Sequence, residues 1–359
     1  MRVLFLPNFQ VERLDKDDPS VPSPNKVLRG DVYWFFKHIP DMKVDVLDNR
    51  APFPLGMISR KSKVEIFQAL RALLIQGKYD LVISHSFNSG FVFSFLRRML
   101  RLRHPPHIVV DVGCLNGGKE HRGQIALMSF ALKSVAGLVY HSRVNKDFYD
   151  KHFPWIETAF VFFGVDPDSF SPPSIMPDGD YAISVGVTKR NYHTLIRAWE
   201  GIAFPLKIVG PDNMQVSRTR DVQVLPRVPI DQLIQMIIDA RFVVLSLEEA
   251  RYSVGQMTLI QSMALQKPIV VSGISGIKDY LTDGVTCVVC RPGDPEDLAE
   301  KVKLLLENRA LAKMISNNAR TDAISRFTEK AMAQSIGLFA ARLIGSLAST
   351  PDSPPRSPG

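Results

Sequence analysis

Short apolar, β-branched runs alternate with stretches of helical period along this chain, and the whole alternation occurs twice. In the first half, VLFLP at 3–7, VDVLD at 44–48, LVISH at 81–85, HIVVDV at 107–112, GLVYHS at 137–142 and TAFVFF at 158–163 read as strands. VEIFQALRALLIQ at 64–76 and GFVFSFLRRMLRL at 90–102 read as helices between them. The second series is YAISVG at 181–186, FPLKIVG at 204–210, VQVLP at 222–226, FVVLSL at 242–247, PIVVSG at 268–273 and VTCVVC at 285–290. HTLIRAWEGI at 193–202, IDQLIQMIIDA at 230–240 and TLIQSMALQ at 258–266 are its helices. Strands alternating with helices build βαβ units and a parallel sheet. The expectation is therefore an α/β protein of two Rossmann-like, doubly wound parallel-sheet domains. Open parallel sheets bind ligands beyond the carboxyl ends of their strands, so a facing pair shares one cleft.

The seam falls in VDPDSFSPPSIMPDGD at 165–180, whose prolines and acids read as a linker. This divides the chain into an N-terminal domain over 1–165, a linker over 166–180 and a C-terminal domain over 181–330. A closing helix over 331–348 is a candidate to return to the N-terminal domain, and the Pro/Ser-rich tail at 349–359 reads as disordered. PEDLAEKVKLLLEN begins with Pro295 and two acids, a good helix start.

Lys plus Arg number 44 against 36 Asp plus Glu, a formal charge of +8. Such a balance points to an anionic partner: nucleic acid, a phosphate-bearing small molecule or a membrane surface. Nucleic acid is disfavoured, because no RNA-binding aromatic motif, helix-turn-helix signature or zinc spacing is present. Three cysteines, Cys114, Cys287 and Cys290, are too few for a disulfide scaffold, and the one CxxC lies in a buried strand pattern. The opening MRVLFLPNF is not expected to be a signal peptide, and no apolar run approaches the ~20 residues of a membrane span.

The residues after the seam carry a resemblance. GQMTLIQSMALQKPIVVSGISGIKDYLTDGVTCVVCRPGDPEDLAEKV, from Gly255 onward, has a glycine turn, a helix ending in small residues, a Gly-rich loop and a "dG-tG-lv-pgDpe-La" segment in order. GVDPDSFSPP at 164–173 resembles an interdomain "nGVD---F-P" element, and TKRNYHTLIRAW follows the first strand of the second series. Together these resemble GT-B glycosyltransferases, especially retaining glycosyltransferase family four (glycosyl transferases group 1). The N-terminal half matches only in its strand–helix rhythm.

The resemblance implies a nucleoside diphosphate sugar (a UDP-, GDP- or ADP-sugar) bound in the cleft mainly by the C-terminal domain, with the acceptor on the N-terminal side. It implies transfer to a hydroxyl acceptor, such as a glycolipid or polysaccharide precursor, with retention of configuration. No separate cofactor and no metal are expected, since Asp15, Asp17 and Asp18 sit in a loop rather than at a strand end. A diphosphate needs cations and backbone N–H groups at a helix start. Lys189 and Arg190, just past Gly186, and the turn Gly255, Gln256, Met257 and Thr258 are the candidate diphosphate contacts. The family often has a basic residue directly after the glycine, whereas this chain has Val187. Gly186, Ser253, Gln261, Gly273 and Gly276 are candidates for the nucleotide and sugar. Ser253 and Gln261 stand where the family often has two glutamates, so Glu248 or Glu249 is a candidate substitute, with Glu249 taken as catalytic. Asp279 is expected to cap the helix after the Gly-rich loop.

On the N-terminal side, His85 and Asp111 end strands that face the cleft. His85 is a candidate to hydrogen-bond the sugar, and Asp111 to orient or deprotonate the acceptor. Lys26, Arg29 and Gly30, before an expected helix DVYWFFKHI, form a candidate acceptor or phosphate loop. Arg97, Arg98, Arg101 and Arg103 make a basic stripe in which Arg97 and Arg101 share a helical face, with Arg60, Lys61 and Lys63 as candidate neighbours. The stripe reads either as a solvated face or as one drawn to anionic lipid, placing the protein in the cytoplasm and peripherally at the inner face of the membrane. The competing functional classes are a non-catalytic nucleotide-sugar-binding or scaffold protein of the same fold and a GT-B sugar-nucleotide epimerase.

Overall fold

The computed structural model describes residues 1–16, 26–30, 32–52, 65–113, 115, 121–210 and 221–349. Asp17, Asp18, Arg60, Lys61, Lys63, Cys114 and all of the tail except Ser349 lie outside the described residues. Two six-stranded sheets organise the chain. The first has the order β5-β1-β6-β7-β8-β9, from β1 (Arg2–Pro7), β5 (Lys43–Val46), β6 (Leu81–His85), β7 (His107–Asp111), β8 (Gly137–Tyr140) and β9 (Glu157–Phe160). The second has the order β12-β11-β10-β13-β14-β15, from β10 (Ala182–Val185), β11 (Leu206–Val209), β12 (Val222–Leu225), β13 (Phe242–Leu245), β14 (Ile269–Ser272) and β15 (Val288–Cys290).

Every pairing in both sheets is parallel, as in Val3 opposite Leu81 and Val243 opposite Ile269. The central strands are buried along their length, which is why they read as continuous apolar runs rather than alternating ones. In each domain the strand order reverses beside the first strand of its series, β1 or β10. This is the switch point at which a doubly wound sheet opens its ligand crevice.

The helices that cover the first sheet are α1 (Ile66–Ile75), α2 (Phe87–Met99), α3 (Arg122–Leu132) and α4 (Lys146–His152). Those of the second are α5 (Tyr192–Trp199), α6 (Ile230–Asp239), α7 (Gln256–Ala264), α8 (Pro295–Glu307) and α9 (Arg309–Arg326). Pro295 does sit in the first turn of α8, and the Asp294 carboxylate caps it by accepting the Asp297 N–H at 2.9 Å. The closing helix α10 (Glu329–Ser349) lays Met332, Ile336, Phe339 and Leu343 into the core of the first domain, against Val3, Phe5 and Val139. The chain crosses between domains twice, side by side. The outward strand meets the return in a parallel bridge, Val165 with Thr328, held by Val165 N–H to Phe327 O at 2.8 Å and Glu329 N–H to Val165 O at 2.9 Å.

The segment DVYWFFKHI differs from the expected helix. Val32–Tyr33 form β4, antiparallel to β3 (Val27–Arg29), which pairs with β2 (Glu12–Leu14), and Trp34–His38 form a single 3-10 turn. Trp34, Phe35 and Phe36 are all buried, and three consecutive buried aromatics do not share one face of an α-helix. Trp34 turns the chain with φ at 39°.

Candidate functional site

A cavity of about 420 Å³ lies between the carboxyl ends of the two sheets. The N-terminal wall is Asn8 and Phe9 after β1, His85 at the end of β6, Val112 after β7, and His141 after β8. The C-terminal wall is Val187, Thr188 and Arg190 after β10, with residues 252–258 between β13 and α7.

The turn that begins α7 is built by two glycines. Gly255 is left-handed, φ 81°, which an L side chain adopts only with strain, and it caps the helix without a side chain. The first intrahelical bond is Leu259 N–H to Gly255 O at 3.0 Å, so the N–H groups of Gln256, Met257 and Thr258 precede it. They carry the positive end of the helix dipole. Gly276 lets the following loop pack on this turn, since a Cβ there would collide with the Tyr252 carbonyl. Gln256 Nε2 donates to Gly276 O at 2.7 Å, and the Glu249 carboxylate accepts the Ser275 N–H at 3.1 Å. Glu249 is thus a brace between the two loops.

Arg190 lies under the turn. Its Nε donates to Val185 O at 2.9 Å, Nη1 to Thr188 O at 3.0 Å and Nη2 to Thr258 Oγ1 at 3.0 Å. A guanidinium has five N–H groups, so two are without a partner among the described residues. Burial lowers its pKa, yet a guanidinium stays charged at neutral pH. Lys189 points elsewhere: its ammonium pairs with Glu248 at 3.0 Å near the surface, on a backbone with φ 55°. Gly186 lies behind Arg190, and its carbonyl accepts the Tyr192 hydroxyl at 2.6 Å. Ser253, Gly255, Gln256, Met257 and Thr258 all line the cavity, whereas Gly186, Gly273 and Gln261 do not. Gln261 lines a smaller crevice at the interdomain crossing, with Trp34, Asp166 and Glu329.

The opposite wall presents two neutral imidazoles. His85 is 8% exposed, and neither ring nitrogen has a hydrogen-bond partner among the described residues. Its ring is enclosed by Trp34, Phe9 and Phe5 at centroid distances of 5.1, 6.0 and 6.2 Å. Burial, then the neighbouring His141, pushes its pKa down to about 3. The Nδ1 of His141 lies 2.7 Å from Val161 O, a partner that requires a proton on Nδ1; burial pushes its pKa down to about 4. His141 and Tyr252 were not singled out from the sequence. His141 follows a strand end just as His85 does, a signal that would have found it; Tyr252 carries none.

Three expectations are corrected by this geometry. Asp111 is fully buried. It accepts the Tyr149 hydroxyl at 2.6 Å and the N–H groups of Gly113 and Leu115 at 3.2 and 3.4 Å, so it shapes the loop after β7 and does not reach the cavity. Asp279 does not cap a helix. It accepts the Arg143 backbone N–H at 2.7 Å and meets the Arg143 guanidinium at 3.3 Å, joining the two domains beside the Tyr280 hydroxyl, which donates to His141 O at 2.9 Å. Arg97 is not on an exposed face. It is fully buried, with Nη2 donating to Pro105 O at 2.6 Å, while Arg98, Arg101 and Arg103 reach the surface region beyond α2.

Lys26, Arg29 and Gly30 belong to the small three-stranded sheet and its flank and do not line the cavity. Cys287 and Cys290 are free and buried, and burial pushes both thiols up to about 11, so neither is a reactive thiolate at neutral pH. Among the described residues no helix is long and apolar enough to cross a membrane.

Similarity to known proteins agrees with this architecture. Residues 170–322 match the family model of glycosyl transferases group 1. A protein of Methanocaldococcus jannaschii described as an uncharacterized glycosyltransferase is 23% identical over 258 residues, 67% of this chain and 69% of its own length. Sucrose-phosphate synthase from Thermosynechococcus elongatus superposes with a TM-score of 0.69 at 16% identity, over 96% of this chain and 100% of that one. Anabaena HepE, solved in complex with UDP, superposes with a TM-score of 0.68 at 16% identity, over 95% of this chain and 100% of that one. HepE has also been solved in complex with UDP-glucose. The chain has the GT-B fold, two parallel-sheet α/β domains about a shared cavity, and residues 170–322 are similar to the glycosyl transferases group 1.

Proposed function

We propose that the protein is a glycosyltransferase that moves a sugar from a nucleoside diphosphate sugar to a hydroxyl acceptor, with retention of configuration and without a dedicated metal. The observation that carries this reading is the pairing of walls across one cavity. Arg190 and the α7 N-terminus supply positive potential on one side, and the unpartnered His85 offers hydrogen bonds on the other. The diphosphate is held by the N–H groups of Gln256 to Thr258 and the spare N–H groups of Arg190, where negative charge grows as the glycosidic bond breaks. His85, neutral at physiological pH, hydrogen-bonds a hydroxyl of the donor sugar. The acceptor enters from the N-terminal side, where Asn8, Phe9 and Val112 border the cavity, and closure of the domains aligns it.

HepE's complexes with UDP and UDP-glucose make UDP-sugars the first donors to test, ahead of GDP- and ADP-sugars. The acceptor is a glycan precursor, lipid-linked and reached from the cytoplasmic face of a membrane. A non-catalytic sugar-nucleotide binder is the second reading. It is favoured by Ser253 and Gln261 in place of acids and by the sealed position of Asp111. The test is a thermal-shift screen of UDP-, GDP- and ADP-sugars, followed by an assay of nucleoside diphosphate release with simple glycoside acceptors, with and without EDTA. A stabilising donor and EDTA-resistant turnover to a product of unchanged anomeric configuration support the proposal. Stabilisation without turnover leaves the second reading, and no stabilisation by any donor contradicts both.

A further inference from the structure

The basic stripe is not part of the cleft. α2 leaves His85 at the cavity and runs away from it, so the cluster at its far end stands about 20 Å from the site at 1.5 Å per residue. A second cavity of about 340 Å³ opens there, and Arg97, Arg98, Arg101, Arg103 and Lys133 all line it. No acidic residue lines it among the described residues, and none of these cations has an ion-pair partner among them. Arg97 forms the floor, its guanidinium above the Phe93 ring at 5.3 Å. The rim is apolar as well as basic: Met99, Leu100 and Leu102 are 61%, 60% and 37% exposed.

The local backbone adds an independent observation. α2 closes with Arg101 N–H to Arg98 O at 3.2 Å and Leu102 N–H to Arg97 O at 2.9 Å, the pairing of a Schellman motif. The left-handed position of that motif ordinarily holds glycine; here it is Arg101, φ 56°. A cation is kept at a conformational cost where glycine would serve the fold better.

We propose that this end of α2 docks the protein on an anionic phospholipid surface, the cavity taking a lipid phosphate while Met99, Leu100 and Leu102 enter the interface. A compact anion is matched by converging guanidinium groups, and the adjoining exposed apolar side chains are matched by acyl chains rather than by a soluble phosphate or a nucleic acid. The inference does not depend on the transferase reading.

The test is cosedimentation of the full chain with vesicles of phosphatidylcholine, alone and mixed with phosphatidylglycerol. Binding is expected only to the anionic vesicles. Each basic residue near such a surface contributes about fivefold in partitioning, so Arg98→Gln/Arg101→Gln/Arg103→Gln is expected to weaken binding on the order of a hundredfold. Met99→Gln/Leu102→Gln is expected to weaken it too, while binding of inorganic phosphate is unchanged by that pair. Circular dichroism of both variants is expected to match the parent. Equal binding to neutral vesicles, no loss in the triple variant, or tighter binding to a short oligonucleotide than to anionic vesicles at the same salt would overturn the proposal.

Discussion

At the scale of single residues, His85 is the most informative. A buried imidazole with neither nitrogen satisfied costs the folded state free energy, on the order of 1–3 kcal/mol for an unpaired polar group. Such a cost at a cavity wall is what a ligand contact leaves behind in the free protein. His85→Leu, close in volume, is therefore expected to raise the melting temperature or leave it unchanged, and to lower turnover at least tenfold. A variant that loses both stability and activity would make His85 a packing residue. Because its pKa is pushed down to about 3, its ionisation is not expected to contribute to the pH–rate profile near neutrality. Arg190 and Lys189 illustrate how far sequence reading goes at this scale. Both are adjacent and basic, and nothing in the string TKRN separates them. The fold does, by turning Lys189 outward to Glu248 and Arg190 inward to Thr258.

At the scale of elements, the cap of α2 gives a clean prediction. Arg101→Gly is expected to raise stability by about 1 kcal/mol, because it removes left-handed strain from a side chain that makes no ion pair among the described residues. Chemical denaturation checks it, and a loss of stability would mean that Arg101 holds the cap by some other contact. The same cap shows where periodicity stops being a guide. A helical wheel carries Arg97 and Arg101 to one face only while the helix continues, and α2 ends at Met99. Strands were legible because burial on both faces writes itself as an unbroken apolar run. The turn at Gly255 was legible because its parts are consecutive. The partners of Asp111 and Asp279, Tyr149 and Arg143, lie 38 and 136 residues away in sequence, and no local pattern encodes such pairings. The aromatic run 33–36 was misread because it satisfies burial on every side, which neither a helical nor a strand period describes.

At the scale of the whole molecule, a cluster of charged groups sits at the crossing between the domains, and burial there moves one carboxyl toward neutrality. Lys37 reaches Asp166 at 2.9 Å and Glu329 at 3.3 Å, on the outward and return crossings respectively. Burial works against the Lys37 ammonium, but its two carboxylate partners outweigh it and raise its pKa. Burial pushes Glu329 up to about 7, with Lys37 opposing and Asp166 reinforcing the rise. The folded state thus holds this proton at a pH where the unfolded chain has released it. The stability it contributes is full below about pH 4.5 and is lost as pH rises toward about 7, a fall on the order of 3 kcal/mol from this group alone. Glu329→Gln is expected to stabilise the protein near pH 8 and to change it little near pH 5, read by thermal unfolding at both. Equal effects at the two values would mean that Glu329 does not change its protonation between them.

We propose that a nucleoside diphosphate binds between the domains against Arg190 and the α7 N-terminus. Calorimetric titration of UDP, GDP and ADP into the parent and into Arg190→Ala tests it most directly. A charge-assisted hydrogen bond contributes about 1.5–3 kcal/mol, so at least one nucleotide is expected to bind the parent and to bind the variant on the order of tenfold to a hundredfold more weakly. Undiminished affinity in an Arg190→Ala protein that remains folded, or no binding of any of the three to the parent, would rule out a diphosphate site at Arg190.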